Sequence, residues 1–474
     1  RHMPHVWESY VWVTLSDLAV LACVRSSPSV LVENAGGVVR AQYTLFYFAA
    51  FFYKVNTSFL EPSTSCASIF VMQNLARYAP ALTLFLEREP AWAELVAACA
   101  PTSTLILEAC IPALWALGYR RAGVGAALVL HLAIAFTPPP HAIGLFGLGS
   151  FVRIFFFMPS AVTEALEALC KSPFRAAVVA AVVAAAASVI DDLAGLVFVG
   201  VACVYAHALT FKGESTAGET VTRWGATQYF MACTSLMYIC LPIVGLMDGA
   251  SPNMFANLRL HGGSNHLLVP TGLLQGVAGG WLDASGERTP LLHPSLEPFG
   301  GGVVRVEASS LESLNAIFPG EVTDVLSEEA RSLLVSAGHT GRVWNGMVGS
   351  VLGREYVPPR PFAPYTIPAH ELRRRLALAR AGNESFTIEY ARLPGPHGDE
   401  RWRQTAAALR VRISDDGAGG VRCESAAEEE TPLECAEDEP GVQPPPPLWA
   451  TTIMAFEPVV TRVGDRHFSE LHCF

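Results

Sequence analysis

The chain has 474 residues, of which 51% are hydrophobic and 16% are charged, and its formal net charge is −11. It is longer than one ordinary soluble domain and more apolar than most, so the composition predicts a membrane protein. After residue 250 there are 28 acidic and 19 basic residues, a balance that argues against nucleic acid as a partner.

Apolar runs follow one another through the first half of the chain. They lie at about 9–24, 41–55, 91–118, 123–137, 142–157, 175–190, 194–211 and 227–247. Several are shorter than the roughly 20 residues of a full membrane span. Prolines at 138–140 and aspartates at 191–192 interrupt the runs as turns between helices. The pattern predicts an α-helical polytopic membrane bundle of about eight helices over residues 1–250, with the lipid bilayer as a partner.

The second run is aromatic and ends on Lys54. The chain contains only three lysines against 29 arginines, so a simple positive anchor would more often be arginine here. Arginine does not release its proton, whereas a lysine removed from water can act as a neutral base. Lys54 is therefore either a general base or an anchor at the end of its helix.

Other ionisable residues lie in or near the apolar runs. Glu8 is near a helix end, where a solvated carboxylate is the simpler interpretation. Glu108, His131 and Arg153 lie well inside their runs, so we expect them to approach one another or to share a polar cavity. A structural salt bridge among them is an equal alternative. No CxxC pair occurs and no metal site is predicted.

After Asp248 the sequence changes to strands and turns. We expect a β-rich domain with short helices over 251–422, an acidic and Pro-rich disordered segment over 423–448, and a C-terminal strand and tail over 449–474. The disulfide candidates are Cys423, Cys435 and Cys473. Asn383 begins a glycosylation sequon, whereas the sequon at Asn56 lies too close to the expected membrane to be used.

The loops between the runs predict an orientation. Tracing them backward from a lumenal C-terminal half places eight basic residues on the cytoplasmic side and two on the other, as the positive-inside rule requires. This predicts a multi-pass protein of the endoplasmic reticulum or another secretory membrane, with its C-terminal half in the lumen.

Because the chain starts at Arg1 with no charged n-region, we expect a missing upstream segment rather than a signal peptide.

Lys54, Val55, Asn56, two spacers and Phe59 form a pattern that resembles the lysine segment of the horizontally transferred transmembrane (HTTM) domain family, which includes the vitamin K-dependent gamma-carboxylase. The segments at 7–24, 104–115, 128–136 and 144–157 and the two at 254–259 and 265–270 are similar to family segments in order and spacing. The chain departs from the family at Glu8, where the carboxylase has histidine, and at Asn56, where it has an acid.

The resemblance implies a gamma-carboxylase-like membrane enzyme in which Lys54 deprotonates reduced vitamin K or a related quinol. The quinol anion then reacts with oxygen, and a glutamate of a protein substrate is carboxylated. Two other classes stay open from the residues. One is a non-catalytic bundle whose lumenal domain binds a partner. The other is a transporter that uses Glu108, His131 and Arg153, for which inverted repeats would be expected.

Overall fold

The computed structural model describes residues 28–60, 65–137, 144–188, 193–210, 303–311, 365–393, 410–425 and 431–444, with short gaps, and isolated residues between these ranges. The part before residue 211 is helical. Its helices are α1 (Pro28–Lys54), α2 (Thr57–Leu60), α3 (Cys66–Tyr78), α4 (Pro80–Arg88), α5 (Pro90–Ala116), α6 (Arg120–Ala135), α7 (Gly144–Ile154), α8 (Pro159–Lys171), α9 (Pro173–Ala186) and α10 (Leu193–Ala208).

Proline divides the apolar sequence into separate helices. Pro80, Pro90, Pro159 and Pro173 each lie in the first turn of a helix, where the missing N–H costs no hydrogen bond. α8 and α9 meet at such a proline with a bend of 102°. Short helices therefore also form between the predicted apolar runs, at 66–78, 80–88 and 159–171.

The helices share one core in which α1 packs on α5, α5 packs on α3 and α6, and α10 packs on α7 and α8. Large side chains with at most 2% exposure fill it, among them Tyr47, Ile111, Phe151 and Phe198. Burial of each stabilises the fold by roughly 1.5–3 kcal/mol. Gly123 lets α6 approach Trp115 of α5, since a Cβ at this position would lie 2.4 Å from the indole ring.

The prediction of an eight-helix membrane bundle is wrong. Among the described residues, one helix, Ala91–Ala116, is long and apolar enough to cross a membrane, or up to two if α8 and α9 form one bent span. The other apolar helices of that part of the chain are too short or too polar. The predicted localisation, as a multi-pass protein with a lumenal C-terminal half, is therefore wrong as well, because it required several membrane crossings. The runs predicted at 9–24 and 227–247 lie almost wholly outside the described residues.

The C-terminal part contains an antiparallel seven-stranded sheet in the order β8-β7-β6-β5-β3-β4-β9. A separate two-stranded sheet pairs β1 (Trp281–Leu282) with β2 (Arg288–Thr289). The strands of the large sheet are β3 (Val303–Ser309), β4 (Tyr365–Pro368), β5 (Phe386–Leu393), β6 (Arg410–Asp415), β7 (Val421–Ser425), β8 (Thr431–Leu433) and β9 (Val459–Val460).

One face of this sheet is apolar and covered by α11 (Ala369–Ala381), whose Leu372 and Leu376 are fully buried. Val304, Ile388 and Ile413 point into the same core, as expected from the period-two alternation of strands. Arg380 of α11 bonds Asp415 of β6 at 2.8 Å and so ties the helix to the sheet.

Residues of the acidic segment 423–448 join this unit. Cys423 of β7 forms a disulfide with Cys435, which lies just after β8. The hydroxyl of Tyr390 donates to buried Glu439 at 2.5 Å, and the guanidinium of Arg373 donates to the carbonyl of Pro444. Although composition predicts disorder here, two strands, a disulfide and these bonds hold part of the segment on the sheet.

Candidate functional site

A cavity of about 140 Å³ lies between α1, α3, α5 and α6. Its walls are mainly apolar and aromatic, with Phe46, Phe59, Leu130 and Ile134 among them. The polar side chains in the lining are Tyr47, Lys54, Asn74, Thr104, Glu108, His131 and Thr137. A mostly apolar pocket with a few convergent polar groups is the usual form of a small-molecule site.

Lys54 and Glu108 form an ion pair in the cavity wall. Nζ of Lys54 lies 3.0 Å from Oε2 of Glu108, and the side chains are only 6% and 7% exposed. The amine also lies 3.5 Å from the carbonyl oxygen of Ala50 and 5.9 Å from the centre of the Phe59 ring. The pair thus places two opposite charges at one point of a mostly apolar wall.

Helical spacing places a second polar pair beside the first. Tyr47 lies seven residues before Lys54, two turns away on the same face of α1, and its hydroxyl bonds Nε2 of His131 on α6. Burial lowers the pKa of His131 to about 3 and raises the pKa of Tyr47. His131 is therefore neutral at pH 7, and its Nε2 shares a hydrogen bond with the tyrosine hydroxyl.

The lowered pKa of His131 predicts acid sensitivity. The unfolded chain takes up a proton near pH 6.5, whereas the folded chain takes it up only near pH 3. Stability from this site is therefore complete above pH 6.5 and is lost as the pH falls, by about 2 kcal/mol at pH 5. In His131→Gln, the side-chain amide can still bond the Tyr47 hydroxyl. Between pH 7 and pH 5 its free energy of unfolding should fall by about 2 kcal/mol less than that of the native chain. Urea unfolding at both pH values measures the difference, and equal losses would contradict the prediction.

Arg153 lies apart from this site. Its guanidinium bonds Asp17 at 2.9 Å and the carbonyl of Gly149 at 3.0 Å. Tyr43 lies nearby, and burial raises its pKa to about 12 although Arg153 acts in the opposite direction. Of the three residues expected to share a cavity, the structure brings Glu108 and His131 together, and Arg153 pairs elsewhere.

Asn56 follows Lys54 but supports the helix end rather than lining the cavity. Its amide donates to the carbonyls of Tyr53 and Ala256 at 2.6 and 2.7 Å, and its side-chain oxygen accepts from the N–H of Phe59. The side chain is fully buried, so the acceptor asparagine of this sequon is enclosed in the fold. Asn383 is exposed at the turn between α11 and β5, with a left-handed φ of 54°.

Glu8 and Cys473 lie outside the described residues. Among the residues that the structure describes, no group of three or more His, Cys, Asp or Glu side chains could hold a metal ion. Tyr47 does not stand out in the sequence, because it lies in an aromatic run, and neither does the pairing of Lys54 with Glu108. The seven-residue spacing from Lys54 is the signal that points to Tyr47.

The sequence model of a family described as a domain of unknown function, DUF8388, matches residues 264–452. The match covers less than half of the chain, including β1 to β8 and α11, and none of the cavity helices. No curated protein and no solved structure matches the chain. No match to the HTTM or carboxylase family was found, so the prediction that the chain belongs to this family is wrong. A lysine after an aromatic helix is too short a pattern to identify a family.

Proposed function

We propose that the cavity binds a small, mostly apolar compound that carries a weakly acidic hydroxyl, such as a phenol or a one-ring quinol, and converts it to its anion. Lys54 stabilises the developing negative charge on the ligand oxygen, and Glu108 takes the proton. The observation that supports this proposal is the buried ion pair in the wall of an otherwise apolar cavity. Charged groups held in a dry cleft are typical of sites that transfer protons.

A purely structural role explains this pair less well. Removing two charges from water costs about as much as their attraction returns, and well-packed apolar side chains of similar size are often equally stabilising. The pair is also placed beside open space rather than within solid packing. A ligand hydroxyl that enters the cavity can therefore reach both charged groups.

The proton balance of the proposed step is simple. The ligand O–H bond breaks, its proton forms an O–H bond on the carboxylate of Glu108, and the ligand keeps the electron pair as an oxygen anion beside the ammonium of Lys54. The net charge of the site is zero before and after the step. If the amine were first neutral and the carboxyl protonated, the final state would be identical, so Lys54 and Glu108 act as one unit.

The cavity volume limits the ligand. A cavity of about 150 Å³ admits one benzene ring, so the space of about 140 Å³ suits a one-ring compound. The fused rings and tail of vitamin K do not fit this volume unless side chains move. Reduced vitamin K as cofactor, with oxygenation and carboxylation of a protein glutamate, stays a prediction from the sequence.

4-Nitrophenol tests the proposal, because its anion absorbs at longer wavelength than the neutral phenol. At a pH one unit below the ligand's own pKa, we expect the full chain to bind it and to shift the bound fraction to the anion. Nitrobenzene has the same ring without the hydroxyl and should bind at least about fivefold more weakly. Binding of both compounds with equal affinity, or of 4-nitrophenol without the spectral shift, would exclude the proposed proton transfer.

A further inference from the structure

We infer that His266, which lies more than 200 residues from Lys54 along the chain, is a positioning residue for the site because it holds the end of the lysine helix. The inference rests on the proposed function, in which Lys54 must face both Glu108 and the ligand. His266 belongs to the part of the chain that the domain family matches, and Lys54 does not. The matched region therefore contributes to the cavity by fixing one of its walls.

The last carbonyls of a helix have no partner within the helix and need other donors. At the end of α1, His266 Nε2 donates to the carbonyl of Phe52 at 2.8 Å, and the N–H of Leu267 donates to that of Val55 at 3.0 Å. Asn56 supplies its side-chain amide to Tyr53 and its backbone N–H to Lys54. The segment that contains His266 thus bonds two of the four carbonyls, that of Val55 and that of Phe52, which also accepts from the N–H of Val55 at 3.1 Å.

The imidazole of His266 is held at both ring nitrogens and by an aromatic neighbour. Its Nδ1 accepts from the N–H groups of Leu268 and Val269, both at 3.1 Å, and its ring centre lies 4.3 Å from that of Phe52. Nδ1 accepts two bonds and Nε2 donates one, so the ring is the neutral Nε2–H tautomer. The residue is only 5% exposed, and burial lowers its pKa, which favours the same neutral form.

These bonds bear directly on Lys54. The carbonyls of Phe52 and Val55, which the His266 segment holds, stand on either side of Lys54 in the sequence and in the last turn. The ion pair of 3.0 Å with Glu108 on α5 depends on the direction in which this turn presents the amine. If the turn loosens, Nζ moves away from Glu108 without any change in the cavity residues themselves.

Three variants separate positioning from packing. His266→Gln places an amide N–H near the position of Nε2 and can still donate to Phe52. His266→Phe keeps the ring contact with Phe52 and loses every hydrogen bond. His207→Phe is the control, because His207 contacts Arg175 at 3.2 Å and does not line the cavity. The probe is 4-nitrophenol, read as the ratio of bound anion to bound neutral phenol.

We expect His266→Phe to lower this ratio by about fivefold or more, which is the effect of one lost hydrogen bond at the site. His266→Gln should stay within about twofold of the native chain, and His207→Phe should not differ from it. Equal loss in the Gln and Phe variants, or no loss in the Phe variant, would overturn the inference.

Acetylation of lysine gives a readout that does not need the ligand. The chain has only three lysines, and Lys171, whose side chain is 76% exposed, serves as an internal reference. In His266→Phe, acetylation of Lys54 relative to Lys171 should rise about fivefold, and in His266→Gln it should not rise. If the native chain fails to ionise 4-nitrophenol, the proposed function fails while this readout still decides the positioning role. Unchanged acetylation in the Phe variant refutes that role.

Discussion

Glu108→Gln is expected to lower the free energy of unfolding by roughly 3–5 kcal/mol, because it leaves the ammonium of Lys54 buried without its counter-charge. The change is nearly isosteric, so the loss comes from charge and not from a cavity. Urea unfolding followed by circular dichroism, with the midpoint and slope compared to the native chain, measures it.

The double variant Lys54→Met, Glu108→Leu completes this test. With both charges replaced by apolar groups of similar size, stability should return to within about 1 kcal/mol of the native chain or exceed it. The matched control is the ion pair of Lys171 with Glu167, which is 2.9 Å long but whose side chains are 76% and 61% exposed. Glu167→Gln should cost at most about 1 kcal/mol, since water screens that pair. A Glu108→Gln loss no larger than this control would mean that the buried pair is solvated.

The double variant also bears on function. If the fold is equally stable without the ion pair, stability does not explain why the chain has it. If the doubly apolar chain is as stable as the native one and no longer ionises 4-nitrophenol, stability does not explain the pair. Such an outcome separates the two roles that a buried ion pair can have.

The sequence was informative about which residues matter at the site and less so about how they pair. Lys54 is unusual because lysine is rare in this chain, and Glu108 and His131 are unusual because they lie deep in apolar runs. All three line one cavity. Composition and position along a run predict that such groups are buried together, but not which of them touch. That Lys54 pairs with Glu108, and Arg153 with Asp17, depends on how the helices pack.

The error in the fold has a physical cause. Hydropathy measures how apolar a run is, and a membrane span also requires an unbroken helix of sufficient length. Pro159 and Pro173 each begin a helix in this chain, and the turn between α8 and α9 redirects the backbone by 102°. The aromatic run that ends on Lys54 belongs to a helix that also carries Arg40 and Gln42. Within the described part of the chain, the apolar runs therefore give one helix that could span a membrane, or two if the bent pair is one span.

The C-terminal sheet was easier to recognise because its pattern is local. Residues 386–390 and 409–413 alternate with period two, and β5 and β6 cover them except for residue 409. The strands at 421–425 and 431–433 flank the acidic residues 428–430, whose composition predicts disorder. Their pairing with β6 and the Cys423–Cys435 disulfide hold them in place, and neither can be read from local composition.

Lys54→Met is expected to lower the ratio of bound 4-nitrophenol anion to bound neutral phenol by roughly 100- to 1000-fold. At about 4 Å and an effective dielectric constant of about 20, one positive charge stabilises an oxygen anion by roughly 4 kcal/mol. Lys54→Arg keeps the charge and should keep the ratio within about tenfold. Absorbance of the bound ligand at a pH one unit below its own pKa measures the ratio. A loss of about 100-fold or more in the arginine variant would mean that the lysine must release its own proton, as the sequence predicted for a general base.

The fate of the proton tests Glu108 in the same experiment. In the native chain the proton of 4-nitrophenol moves to Glu108. The solvent should therefore gain almost no protons when the ligand binds as its anion. In Glu108→Gln the ammonium of Lys54 still stabilises the anion, but no carboxylate takes up the proton, so about one proton per ligand should appear in the solvent. Titration calorimetry in two buffers with different ionisation enthalpies counts these protons. Release of one proton by the native chain would remove Glu108 as the acceptor, because the pair would then only hold an anion that formed in water.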